Sequence, residues 1–203
     1  MKRKKKKLKK GVIVFLGLLL LCGMVGCYFI VQTHNDIEEY NVEGLSIQHQ
    51  FLTINPYSRS GKSLHKVNGI VIHYTANPNS TAQNNHDYFE SLKTKKTASV
   101  SSHFIIGLKG EIIQCIPLNE VSYASNNRNR DTISIECCHK DESGKFNQAT
   151  YQSLQKLVKA LIQTYHLDKD DVIRHYDVTG KICPKYFVDY PDAWKKFLNS
   201  LDN

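Results

Sequence analysis

The stretch Arg174-His175-Tyr176-Asp177-Val178-Thr179-Gly180-Lys181-Ile182-Cys183-Pro184 places an imidazole, an ammonium and a thiol close together. Imidazole nitrogen and thiolate sulfur are good zinc ligands. Two ligands do not make a site, and the best third ligand lies far upstream, at His73 in Ile70-Val71-Ile72-His73-Tyr74-Thr75. Three protein ligands with one open position is the arrangement of a catalytic metal centre. A Cys-x2-Cys knuckle would instead point to a structural one, and none is present here. The alternatives are a satisfied histidine on an apolar strand and a free or disulfide-bonded thiol.

A metal-activated water needs a base, and Glu136 supplies a carboxylate in Asp131-Thr132-Ile133-Ser134-Ile135-Glu136-Cys137-Cys138. In an extended strand Ile133, Ile135 and Cys137 share one face, and Ser134, Glu136 and Cys138 the other. A carboxylate in mid-strand is disfavoured unless its face is wet or functional. The competing reading is an edge-strand glutamate turned to solvent. Lys181, two residues before Cys183, would sit near any metal held there, where an ammonium can steady an oxyanion. Taken singly it is an ordinary surface lysine. His34, His49, His65, His86, His139 and His166 have no partner pattern and read as structural or surface residues.

The elements that must position these groups follow from pattern. Residues 69–75 are rich in β-branched side chains and run into Asn-Pro-Asn, which predicts a strand and an exit loop with His73 near its end. Residues 80–92 fit a helix. Residues 100–106 and 111–116 fit a hairpin around Gly107-Leu108-Lys109-Gly110. Residues 132–138 and 171–175 fit strands. Tyr151, Leu154, Leu157, Val158, Leu161, Ile162 and Tyr165 recur at helical spacing. A terminal helix is expected over 191–201. Strands and helices interleave with at least one hairpin, so the expected fold is α/β, a central mixed sheet flanked by helices.

The net charge of +8 suggests a polyanion partner, but its distribution removes that suggestion. Residues 1–10 hold eight of the 27 Lys and Arg, leaving 19 basic against 19 acidic residues. Nucleic acid is therefore not an expected partner. Residues 11–31 carry no charge and are long enough for one transmembrane helix, with the basic tail inside and the remainder outside. The organisation expected is a basic cytoplasmic tail (1–10), a signal anchor (11–31), a stalk (32–59) and one catalytic domain (60–203), acting as a monomer at the outer side of the cell membrane. Two alternatives are a cleaved, secreted form and a lipoprotein modified at Cys27. Outside the cytoplasm a disulfide is permitted, so pairing of Cys115 with Cys137 or Cys138 stays open.

Four stretches in order resemble the zinc-dependent N-acetylmuramoyl-L-alanine amidases, a family of phage lysozyme-like amidases, bacterial autolysins and peptidoglycan recognition proteins. They are Val71-Ile72-His73-Tyr74-Thr75, Ser101-Ser102-His103-Phe104-Ile105-Ile106, Asp131-Thr132-Ile133-Ser134-Ile135-Glu136, and His175-x5-Lys181-x-Cys183-Pro184. The resemblance covers about residues 47–201. It implies one zinc on His73, His175 and Cys183, Glu136 as general base and Lys181 as transition-state cation. The implied fold is a mixed sheet with the metal on the floor of an open groove, and the implied substrate is peptidoglycan. Two departures stand out: Ser102 where some phage members carry a catalytic tyrosine, and Tyr123 where many relatives carry a histidine.

Overall fold

The computed structural model describes residues 39–202. The basic tail and the apolar segment 11–31 lie outside the described residues. Among the described residues no helix is long and apolar enough to cross a membrane.

Six short strands form one sheet. They are β1 (Ile47–His49), β2 (Ile70–Tyr74), β3 (Phe104–Ile106), β4 (Ile112–Gln114), β5 (Ile133–Cys137) and β6 (Val172–Arg174), in the spatial order β1-β4-β3-β5-β2-β6. Only β3 and β4 pair antiparallel, and the other four pairings are parallel. The sheet is therefore mixed, as the sequence pattern implies. Among the described residues five α-helices accompany it: α1 (Ala82–Lys95), α2 (Gln148–Tyr165), α3 (His175–Thr179), α4 (Lys185–Asp189) and α5 (Pro191–Asn199).

Alternation within the strands divides the core into two layers. Ile70, Ile72, Phe104, Ile106, Ile133 and Ile135 pack with Leu154, Leu157, Val158 and Leu161 of α2 and with Phe187, Trp194 and Phe197 from α4 and α5. On the other face Ile105, Ile113, Cys115 and Cys138 pack with Ala82 and Phe89 of α1. The two longest helices have side-chain caps where they must start. Thr81 and Asn84 cap α1 reciprocally, and the Asn147 side chain accepts from the Thr150 N–H in α2.

The β3–β4 turn is locked to α2. Asn147 Nδ2 and Thr150 Oγ1 donate to the carbonyls of Leu108 and Gly107 at 2.8 and 2.9 Å, and Ser153 Oγ donates to the Gly110 carbonyl at 2.7 Å. Gly110 has φ +82°, and a Cβ there would lie 2.7 Å from Ser153 Oγ, so both conformation and space require glycine.

Two details differ from the sequence-based expectation, and a third closes an open question. First, β1 pairs with β4, and Arg59 is buried in a bidentate pair with Glu120 at 2.6 and 2.8 Å. The folded unit thus extends N-terminal of residue 60, into the segment read as a stalk; three residues are too few for a legible strand period. Second, the strand expected to close on His175 ends at Arg174, and His175 opens α3. Third, Cys115, Cys137 and Cys138 are all buried and free, so the open question of their pairing resolves to no disulfide.

Phe197 is fully buried and stacks with Phe187 and Trp194 at centroid distances of 5.4 and 5.6 Å. Phe197→Ala is expected to lower the unfolding free energy by about 3–5 kcal/mol, read by denaturant titration. A loss below about 1 kcal/mol would mean that α5 does not share in the core.

Candidate metal centre

The β2–β5 pairing sets the site. His73 and Glu136 are register partners on adjacent parallel strands, so both side chains leave the same face of the sheet. β5 lies between β3 and β2, which overturns the reading of Glu136 as an edge-strand residue facing solvent. His175 enters from the first turn of α3, directly after β6, and Cys183 from the segment between α3 and α4. The Cys183 carbonyl accepts from the Tyr176 N–H at 2.8 Å, which folds this segment back on itself.

One ligand atom each from His73, His175 and Cys183 can be chosen so that all lie within 4.8 Å of one another, and all three residues are buried. The imidazole centroids are 4.7 Å apart, and Cys183 Sγ is 3.8 Å from His73 Nδ1. The three residues that sequence spacing could only suggest as partners are thus brought together.

Both imidazoles are held from behind by one turn, the 3-10 segment Asn126–Arg130 and the Ser125 before it. His73 Nε2 lies 3.1 Å from Ser125 Oγ, and His175 Nε2 lies 3.0 Å from Asn126 Oδ1. An amide oxygen only accepts, so His175 carries its proton on Nε2 and keeps the Nδ1 lone pair. With His73 Nε2–H donating to the Ser125 hydroxyl, its Nδ1 is likewise free. This is the outer support that fixes ring orientation and tautomer in metal-binding histidines. Asn129 holds the turn itself, its Oδ1 accepting from the N–H groups of Ala124 and Ser125 at 3.0 and 2.5 Å. The sequence reading missed Ser125, Asn126 and Asn129. Asn126 adopts φ +53°, a conformation asparagine tolerates better than most residues, but no period or motif marks it in the sequence.

The electrostatics fit a cation. Burial, then His175 and Lys181, hold His73 well below the usual imidazole range, and burial and Lys181 lower His175. Both are therefore neutral, the ligating form. Burial, with Glu136 second, pushes the Cys183 thiol up to about 12, so its proton leaves only if a cation replaces it. Burial raises Glu136 to about 8 against the opposing pull of Lys181. Glu136 Oε2 and His175 Nδ1 are buried with no hydrogen-bond partner. His175 belongs to the His-His-Cys set and Glu136 is the register partner of His73, so a cation held by the set would satisfy the first orphan and offset the charge of the second. Lys181 is exposed, yet its charge acts on His73, His175, Glu136 and Cys183.

Other sequence features resolve as structural. His103 is fully buried, accepts from the Ser134 N–H at 3.0 Å and donates to the Glu120 carbonyl at 2.9 Å. Ser102 spends its hydroxyl on the Phe104 carbonyl at 2.9 Å, so it does not replace a tyrosine at the site. His139 is buried as well, its Nδ1 bonded to the Asp141 carbonyl at 2.8 Å and its ring 5.1 Å from that of Tyr74.

Known proteins share both sequence and fold with this chain. Residues 63–186 match the Amidase_2 family, described as N-acetylmuramoyl-L-alanine amidase. The chain is 36% identical over 167 residues to the N-acetylmuramoyl-L-alanine amidase CwlL of Bacillus licheniformis, covering 75% of this chain and 46% of that protein. It is 31% identical over 172 residues to BlyA of Bacillus subtilis (strain 168), covering 74% and 45%. The chain thus spans about half the length of the curated relatives it matches. Among solved structures, a mutant endolysin from Bacillus subtilis superposes with a TM-score of 0.65 at 26% identity, covering 77% of this chain and 99% of that one. The catalytic domain of XlyA superposes at 0.66 and 25% identity, with 77% and 99% coverage. The sheet, the His-His-Cys cluster and the match over most of the folded residues lead to one conclusion: this chain belongs to the N-acetylmuramoyl-L-alanine amidase family.

Proposed function

We propose that the protein is a zinc-dependent amidase that cleaves the amide bond between N-acetylmuramic acid and L-alanine in peptidoglycan. The observation that carries this reading is the convergence of His73, His175 and Cys183 beside Glu136. Three nitrogen and sulfur ligands suit zinc better than a hard, oxygen-preferring cation, and they leave a fourth position open. When bound, zinc supplies Lewis acidity, polarising the scissile carbonyl and acidifying water.

The chain's own residues supply the rest. Glu136 is protonated near neutrality while the His-His-Cys set holds no metal, and a positive charge in the cluster favours its carboxylate. In that form it takes a proton from the attacking water and delivers it to the departing alanine nitrogen. Lys181 contributes positive charge to the oxyanion of the tetrahedral intermediate. Ser125 and Asn126 keep both imidazoles oriented through the cycle. Residues 11–31 are proposed as a single membrane anchor that keeps the domain on the outer side, beneath the wall.

The full chain, solubilised in mild detergent, should release new alanine amino groups from peptidoglycan. A chelator should abolish this, zinc should restore it, and Glu136→Ala should lower kcat by at least about 100-fold. Release of reducing sugars without free alanine amines would overturn the proposal.

Asn126→Ala should weaken zinc binding about 10- to 100-fold, measured against a chromophoric chelator with the far-UV spectrum unchanged. Unaltered affinity would remove Asn126 from the support of the site.

Glu136 also makes the metal-free chain pH-sensitive. Its folded pKa, about 8, exceeds the ordinary 4.5, so the stability it contributes is lost as pH rises through that window. Glu136→Gln should therefore stabilise the chelated chain by roughly 2–4 kcal/mol at pH 8 and by almost nothing near pH 4. An equal gain at both pH values would show that the carboxyl is not held in a dry site.

A further inference from the structure

His175 and Cys183 are carried by short pieces of chain. β6 has three residues, and α3 and α4 have five each. Helices this short have no stability of their own, so groups outside them must hold them in place. Arg174 ends β6 and directly precedes His175. Its side chain is only 15% exposed. Nε and Nη2 donate to the two carboxylate oxygens of Asp177 at 3.0 and 2.7 Å, and the Arg174 backbone N–H donates to Asp177 Oδ2 at 2.8 Å. These bonds fasten the first turn of α3 to the end of β6. The third arm, Nη1, donates to the Phe187 carbonyl of α4 at 2.9 Å. The guanidinium also lies over the rings of Tyr176 and of Trp194 on α5, 5.3 and 5.5 Å from their centroids.

The Phe187 carbonyl needs a donor from outside its helix. In a continuing helix it would accept from the N–H of residue 191, but residue 191 is proline and has none. Phe187 is buried, where an unpaired carbonyl is costly. Arg174 supplies the bond that Pro191 cannot. α4 starts two residues after Cys183, and the Val188 N–H donates back to the Pro184 carbonyl at 3.1 Å, so α4 is hydrogen-bonded to the neighbour of that ligand. One planar cation thus joins the residue before one ligand to the helix after the other.

We propose that Arg174 is a positioning residue for the metal centre: its fork holds Asp177 and the Phe187 carbonyl at a fixed separation and so sets the spacing of His175 and Cys183. This rests on the zinc reading above. The role differs from that of Ser125 and Asn126. Those two determine which ring nitrogen faces inward, whereas Arg174 determines where the two ligand-bearing segments stand. Lysine cannot substitute, because an ammonium is a point charge on a flexible stem and lacks a rigid fork that reaches both acceptors in fixed directions. Asp177 is the other half of the device. It orients the guanidinium toward Phe187 and balances its charge next to a site for a cation.

The test measures zinc affinity of the full chain in mild detergent by competition with a chromophoric chelator, and follows unfolding of the metal-free chain separately. Arg174→Lys should weaken zinc binding by about tenfold or more, and Asp177→Asn should weaken it by more than about twofold. Combined, the two should cost less than the product of their separate effects, because they break one device. Arg59→Lys is the control, since Arg59 is also buried in a bidentate pair but its partners Glu120, Leu52 and Phe51 carry no ligand. It should lower the denaturant midpoint and leave zinc affinity within about twofold. Cobalt(II) in place of zinc reads geometry directly: at saturating metal its thiolate charge-transfer and d–d bands should change in Arg174→Lys and not in Arg59→Lys. Unaltered zinc affinity and cobalt bands in Arg174→Lys, or an equal loss in Arg59→Lys, would overturn the positioning role alone. If Arg174→Lys does not fold, Asp177→Asn, which keeps the arginine, decides by the same two readouts. If the natural chain takes up neither zinc nor cobalt, the metal reading fails and this role fails with it, so the two failures can be told apart.

Discussion

Everything at the site depends on the pairing of β2 with β5. Five consecutive residue pairs lock these parallel strands at the middle of the sheet, and one of those pairs is His73 with Glu136. A slip of one residue would send one of the two to the opposite face, among the apolar side chains under α2. The register is protected by what lies on that opposite face. Ile70, Ile72, Ile133 and Ile135 are all fully buried in the larger core layer, so the hydrophobic pattern that stabilises the sheet also keeps the carboxylate beside the imidazole.

The site is otherwise assembled from irregular chain. β6 ends as α3 begins, delivering His175 to the cluster, and the segment before α4 delivers Cys183. The 3-10 turn and Ser125 meet both imidazoles from behind. Rigid strands thus define the floor, while loops define which ring nitrogen faces inward. This division explains how a chain with only short strands can hold two neutral histidines and a protonated thiol in a dry cluster with few direct contacts among them. Burial dominates the pKa shifts of all three ligands and of Glu136, so the pocket disfavours charge until a cation brings its own.

Much of this was legible in the sequence, for identifiable reasons. The helical recurrence from Tyr151 to Tyr165 is a long signal and marked α2 well. The Gly107–Gly110 turn betrayed the hairpin because its geometry requires glycine. The convergence of His73, His175 and Cys183 beside Glu136 could be anticipated because His, Cys and an out-of-place Glu are chemically conspicuous. The rest is not encoded locally. Whether Glu136 lies on an edge or a central strand depends on sheet order. β1 has three residues and no usable period. Ser125, Asn126 and Asn129 are ordinary loop residues whose role comes from the direction of a hydroxyl and two amides, which no spacing reveals. The cysteines show the same limit: Cys115 and Cys138 share one core layer and Cys137 lies in the other, yet all three are free, which no spacing reveals.

His73 and Cys183 stand 110 positions apart in the chain and meet at 3.8 Å. A cation shared between them closes a ring that contains most of the sheet and both long helices. Such a closure removes more freedom from the unfolded chain than from the folded one, and a ligand that binds only the folded form raises stability in proportion to its free concentration. With a cation bound, the cluster would be a clasp as well as the proposed reaction centre. In surroundings poor in metal, this chain would lose its fastening together with its chemistry, and its persistence would follow the local supply of the ion.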